Sequence, residues 1–289
     1  MTRKKKIKIS VLGLILILFL TICYELMWGK LFPFTPVIIG FTKHELSNTI
    51  IYVQNGVNYK DFQRLDTLTL SVEKFHEIKF NAKPELFIFY DSLGFIRRSF
   101  SKARFSAYPS GRLLISPWAL RENQEGKISL EIYVRHELSH VLLMQYMSYW
   151  RAYYYPDWLM EGIAVYSTNQ MGTSFYPSKE DTYNSIAEGN FLPPLDYKTD
   201  KEDNVKLNVE YPIAFKYSEF ACIVDYLITT YGKKKLLTFM KKLFENSDNN
   251  EVFKEVYNIE FSKVIQDFKK HVVESKKTKL KQDEIQKNN

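Results

Sequence analysis

The sequence holds two cysteines in 289 residues, Cys23 and Cys222. The first lies in an apolar run near the amino end and the second stands alone in the rest of the chain, which excludes an internal disulfide framework. Cys222 falls in an apolar helical stretch and is expected to be a small buried hydrophobe. Histidine is scarce as well, at five residues, so two of them at a meaningful spacing are hard to attribute to chance. No internal repeat is visible. A basic nucleic-acid-binding surface is also missing, although the net charge is +7. Residues 1–8 carry five cations, and the segment from Lys269 carries seven lysines against three acids. Without these ends the middle is near −2, so no nucleic-acid partner is expected.

The chain has one long charge-free apolar run, Ile9 to Tyr24. As a helix it reaches about 24 Å, a little short of a ~30 Å hydrocarbon core, and Lys8 and Trp28 can reach the two interfaces. The cations that precede it place the amino end in the cytoplasm. Residues 25–32 offer no A-x-A-like cleavage site, and Ile22 before Cys23 is bulky for lipoprotein processing. The expectation is a cytoplasmic basic tail over 1–8 and an uncleaved signal-anchor over 9–28, with a cleaved signal peptide as the competing reading. The protein is then a single-pass cell-membrane protein with its bulk outside the cytoplasm.

Past a Pro-containing connector over 30–41, Asn48–Val53 reads as a strand and Asn55-Gly56 as a turn. Asn58 is positioned to cap a helix whose Phe62, Leu65, Leu68, Val72 and Phe75 recur at helical spacing. Glu85–Tyr90 and Arg112–Ser116 read as buried strands. From Ile128 the pattern turns helical. A first helix reaches about Met147, and a Tyr- and Trp-rich loop from Tyr149 to Trp158 is expected to pack onto the helices or to line a pocket. Asp157 is expected to cap the next helix and Gly172 to stop it. Residues 173–210 read as an irregular insert. Pro212 opens a helix to Gly232, and helices follow at about 233–245, 251–257 and 262–275. The division expected is an α/β lobe over 30–127, a helical lobe over 128–275 and a disordered Lys-rich tail over 276–289.

Inside the first of these helices stands His136-Glu137-Leu138-Ser139-His140. Four residues apart on a helix, His136 and His140 project from one face, one turn above the other. Two neutral nitrogen ligands thereby come within reach of one metal ion. Glu137 lies about 100° around the helix, where it can take a proton from a water beside the metal but is poorly placed to ligate. Glu161, on a second helix, offers a third ligand. Two histidines, a carboxylate and an open position describe a catalytic zinc site rather than a closed structural one, with one Zn²⁺ per chain.

HExxH followed by Trp158, Glu161, Gly162 and Ala164 as W-x-x-E-G-x-A resembles the gluzincin metallopeptidases, in the peptidase MA-like branch related to aminopeptidase N and leukotriene A4 hydrolase. Tyr217 to Gly232 resembles the family segment that carries a transition-state tyrosine. The resemblance covers about residues 128–235. It implies an α+β, thermolysin-like zincin domain, a small mixed sheet lobe followed by a mainly helical lobe, behind the transmembrane helix. It also implies His136, His140 and Glu161 as zinc ligands, Glu137 as general base and Tyr217 as oxyanion donor, with Tyr211 and Tyr166 as rivals. An edge strand in such domains borders the cleft and pairs with extended substrate, and 111–116 is expected in that role. Two departures stand out. No G-x-M-E-N-like segment for a free amino terminus is present, so aminopeptidase activity does not carry over. Val165 stands where the thermolysin branch has an Asp supporting a zinc-bound His, so such support must come from elsewhere.

The function expected is therefore a membrane-anchored zinc endopeptidase acting on a peptide or protein. The alternatives are a zinc amide hydrolase on a non-peptide or cell-wall substrate, and a non-catalytic exported binding module. Oligomeric state is not legible.

Overall fold

The apolar amino-terminal run is a helix in the computed structural model, which describes residues 3–55, 58–194 and 207–287. This helix, α1 (Arg3–Trp28), is longer than the charge-free run. Among the described residues, one helix is long and apolar enough to cross a membrane, over Ile7–Trp28, and a signal sequence near an amino terminus has the same character. Its 22 residues span about 33 Å.

The sheet lobe begins with β1 (Phe41–Glu45) and β2 (Ile50–Gln54) and continues, past a 3₁₀ segment and α2 (Leu68–His76), to β3 (Glu85–Ile88). Next come α3 (Ser92–Arg98), β4 (Phe105–Ala107), β5 (Arg112–Ile115) and α4 (Pro117–Gln124). The strand order is β1-β2-β3-β5-β4, with β2, β3 and β5 parallel and β1 and β4 antiparallel at the edges. Alternate residues face opposite ways along a strand. Ile51, Val53, Leu86, Ile88, Leu113 and Ile115 pack toward the helix that carries the HExxH motif. Phe87, Phe89 and Leu114 pack on the other face with Phe32, Phe95 and Tyr108.

This arrangement corrects the expected substrate-pairing strand. Residues 111–116 form interior β5, hydrogen-bonded on both sides and buried at all four positions. Its apolar run Leu113–Ile115, after Arg112 paired with Glu85, is that of a strand covered on both faces. The edge is the three-residue β4, too short to carry a pattern of its own. β1 was not expected either, because its exposed FTKHE sequence shows no apolar face. The helix anticipated around Phe62 to Phe75 is 3₁₀ over Tyr59–Thr67 and α only from Leu68, and Asn58 caps it by accepting from Lys60 N–H. Gly56, of the expected Asn-Gly turn, lies outside the described residues.

The helical lobe comprises α5 (Leu130–Met144), α6 (Tyr149–Tyr153), α7 (Asp157–Ser167) and α8 (Lys179–Ala187), followed by α9 (Pro212–Tyr231), α10 (Lys233–Lys242), α11 (Asn249–Tyr257) and α12 (Phe261–Lys287). Pro156 rather than Asp157 is the residue before α7, which has no side-chain cap, and α7 ends at Ser167, ahead of Gly172. The insert holds α8, capped by Ser178. α12 runs on through 276–287, where a disordered tail was expected. That stretch lacks Gly and Pro and carries five Lys and two Gln, which favour helix. Cys222 is fully buried in α9, its Sγ 3.8 Å from Met171 Sδ.

Candidate metal centre

Two helices bring His136, His140 and Glu161 together. α5 buries Val134, Leu138, Val141 and Leu142, which fixes its rotation and turns His136 and His140 toward α7. α7 lies close against α9 because Gly162 has no side chain; a Cβ there would stand 2.7 Å from the carbonyl oxygen of Phe220. The neighbouring residue, Glu161, is thereby held opposite the two histidines.

His136 Nε2 is 3.1 Å from Glu161 Oε2, His140 Nε2 is 3.5 Å from the same oxygen, and the two Nε2 atoms are 3.0 Å apart. His136 Nδ1–H donates to Oε1 of Gln170 at 2.8 Å, so its Nε2 carries a lone pair toward the carboxylate. Ligands held at 2.0–2.1 Å in a tetrahedron stand about 3.3 Å from one another. The three separations bracket that value, and the donor set is rich in lone pairs directed at one point. The residues fit a divalent metal with a fourth position open to the cleft.

The electrostatics agree with the geometry. Burial would raise the Glu161 pKa, but the adjacent imidazoles, His140 foremost, outweigh it and hold the carboxylate well below its usual range. Burial would lower that of His140, but the charge and hydrogen bond of Glu161 raise it. Glu137 is pushed up by burial, against the pull of His140 and His136, and the backbone N–H of Ala107 hydrogen-bonds to it. Ala107 is the last residue of β4, so the edge strand and the expected general base are in contact.

Gln170 was not anticipated. It is fully buried in the turn after α7, its N–H bonded to the carbonyl of Val165 at 3.1 Å. The support expected from a carboxylate is supplied by a neutral carboxamide nine residues beyond Glu161. No local pattern in the sequence marks it.

Tyr217 lines the cleft, and the charge of Glu161 followed by burial raises its pKa well above the ordinary value, so the hydroxyl keeps its proton. Tyr176 lines the same cleft and is raised in the same way, by burial first and then by Tyr133, Glu161 and Glu137. It belongs to the irregular insert and escaped notice there. The rivals named from sequence stand elsewhere. Tyr211 is largely exposed and packs on Phe175, and Tyr166 packs beside Phe75. The cleft, of about 1630 Å³, is bounded by β4 on one side and by α6, α7 and α9 on the other. That is larger than a typical small-molecule pocket.

The sequence model of the peptidase MA superfamily matches residues 130–274, half of the chain. The chain belongs to the peptidase MA superfamily. No curated protein matches it. The peptidase MA match begins at Leu130, the first residue of α5, and ends within α12. It takes in His136, Glu137, His140, Glu161, Gln170, Tyr176 and Tyr217. The sheet and α1 lie outside the peptidase MA match.

Proposed function

We propose that the protein is a membrane-anchored zinc metallopeptidase of the gluzincin type, akin to the aminopeptidase N branch, and an endopeptidase. The observation that carries this reading is the convergence of His136, His140 and Glu161 at 3.0–3.5 Å, with Glu137 beside them. A zinc ion held there supplies a Lewis acid and acidifies water in the open position. Glu137, made more basic by burial, takes a proton from the attacking water and passes it to the leaving nitrogen. Tyr217 donates a hydrogen bond to the carbonyl oxygen as negative charge develops there. β4, an edge strand with one side unpaired among the described strands, aligns extended substrate through its backbone, which favours peptide over other amides. The missing G-x-M-E-N-like segment favours internal cleavage. The charge at the amino end and the length of α1 support anchoring with the catalytic domain outside the cytoplasm.

The test is metal content together with casein cleavage by the purified full chain and its Glu137→Gln variant. Stoichiometric zinc in both, with cleavage by the unaltered chain alone, is expected. A chain without zinc would sink both enzymatic readings, zinc without cleavage would favour a non-peptide amide, and cleavage retained by Glu137→Gln would remove the general base.

A further inference from the structure

The Tyr- and Trp-rich stretch from Tyr149 to Trp158, expected as a loop, forms α6 and the start of α7 and divides into two groups of side chains. Tyr155 and Trp158 are buried, as packing requires, but Tyr149, Trp150, Tyr153 and Tyr154 are exposed, Trp150 by 75% and Tyr153 by 77%. These four do not stand alone. The ring of Phe34 lies 5.9 Å from Tyr149 and 6.3 Å from Phe100. Phe100, exposed by 58%, follows α3, whose Leu93 and Ile96 also point to solvent on the same helical face. Phe34 itself is six residues beyond Trp28, the end of α1. An exposed band of aromatic and aliphatic side chains therefore runs from the end of the apolar helix to α6. Soluble surfaces rarely leave so much contiguous apolar area uncovered.

The junction between α1 and this band is held by hydrogen bonds. The ammonium of Lys30 donates to the carbonyls of Ile96 and Ser99, at 2.6 and 2.5 Å, at the carboxyl end of α3. Arg98, nearly buried, donates from Nε to the carbonyl of Met27 at 3.2 Å and lies over the ring of Phe32. The domain is thus fixed in attitude to the outer end of α1, with α3 beside it.

We propose that this band seats the domain on the lipid surface that α1 enters, and that the cleft accepts polypeptide segments lying at that surface. The proposal rests on reading α1 as an uncleaved anchor and the cleft as a peptidase site. Lipid is the occupant favoured because the band continues from the end of the spanning helix, and Trp and Tyr concentrate where apolar and wet environments meet. Exposed Arg97 and Lys102 flank the band, where their long stems can lie on the apolar zone and their charged heads reach headgroup phosphates. Phe100, Tyr149, Tyr153 and Tyr154 also form a wall of the catalytic cleft. Its mouth therefore opens at the membrane, and a chain tethered there meets it at raised effective concentration.

The experiment uses the full chain in phosphatidylethanolamine–phosphatidylglycerol vesicles with and without brominated phosphatidylcholine. Trp28→Phe removes the anchor's own indole, and comparison with Trp28→Phe/Trp150→Phe isolates Trp150. Brominated lipid is expected to remove about half of the Trp150 emission. Unquenched Trp150 in a chain that floats with the vesicles overturns the proposal; a chain that does not float overturns the anchor and the proposal together. In the same vesicles a palmitoylated casein peptide is expected to be cut about tenfold faster than the free peptide. Leu93→Ser/Ile96→Ser/Trp150→Ser, which replaces no residue of the cleft wall, brings that ratio near one and leaves the free-peptide rate unchanged. Trp150→Ser alone serves if the triple variant fails to fold. A ratio unaffected by these changes overturns the choice of substrate. If neither peptide is cut, the peptidase reading and the substrate assignment fall, and quenching of Trp150 still decides the seating.

Discussion

His136 and Gln170 are joined by a 2.8 Å hydrogen bond from imidazole Nδ1–H to carboxamide oxygen, in a fully buried turn. The bond sets the tautomer and the ring plane of the imidazole. Gln170→Ala should weaken metal binding by about 10–100-fold. Gln170→Glu should keep it close to the original. Titration against a competing chelator reads both, and unchanged affinity in the alanine variant would show that the carboxamide does not orient the ligand.

Two of the cleft's tyrosines, Tyr217 and Tyr176, feel the charge of Glu161, and their roles separate kinetically. Tyr217→Phe should lower kcat by about 10²–10³ with little change in KM, as loss of one oxyanion donor does. Tyr176→Phe should stay within a few-fold of the unaltered rate. The reverse result would move the donor to the insert.

Gly162 is the point at which α7 meets α9. A methyl group there stands 2.7 Å from Phe220 O and 2.9 Å from its carbonyl carbon, and this neighbour is backbone. Gly162→Ala should cost about 1–3 kcal/mol of stability by overpacking. It should also lower zinc content, because Glu161 moves with the helix. Denaturation midpoints and metal analysis test the two effects separately.

His76 gives a pH dependence of stability. It is fully buried on α2, donating from Nδ1 to the Val72 carbonyl and accepting at Nε2 from the hydroxyl of Ser139. Burial, against the Val72 bond, lowers its pKa to about 4. The unfolded chain takes up this proton near pH 6.5 and the folded chain near 4, so between these values the unfolded state binds more protons. The stabilisation is complete above about pH 6.5 and falls by about 3 kcal/mol as pH drops to 4. His76→Gln should remove that part of the slope, read as the difference between the two proteins' unfolding free energies across this range. A constant difference would refute it.

The cluster of His136, His140 and Glu161 was legible because two of the three share one helix, where spacing alone fixes their relative direction. Glu161 came with the next helix and its Gly. The interior strands β2, β3 and β5 were legible as apolar runs, and α9 from Pro212 to its closing Gly232. The remaining features depend on contacts far apart in sequence. β4 is a strand because it pairs with β5, and its three residues say nothing by themselves. β1 is exposed and lacks the alternation that reveals half-buried strands. Gln170 and Tyr176 reach the site from irregular backbone, which has no period to read. The short helices α3, α4 and α8 carried little beyond their caps, Asp91, Ser116 with Pro117 after it, and Ser178, as signals.

His136 and Glu161 are 25 residues apart along the chain and 3.1 Å apart in space. A shared ion would therefore tie off a loop of polypeptide, a constraint on the unfolded chain comparable to a covalent crosslink of that size, about 3.5 kcal/mol. The two thiols give no such help, one lying in α1 and the other sealed inside α9. In the exported metallopeptidase proposed above, the stitch that sulfur commonly supplies would be made by the same ion that serves the chemistry.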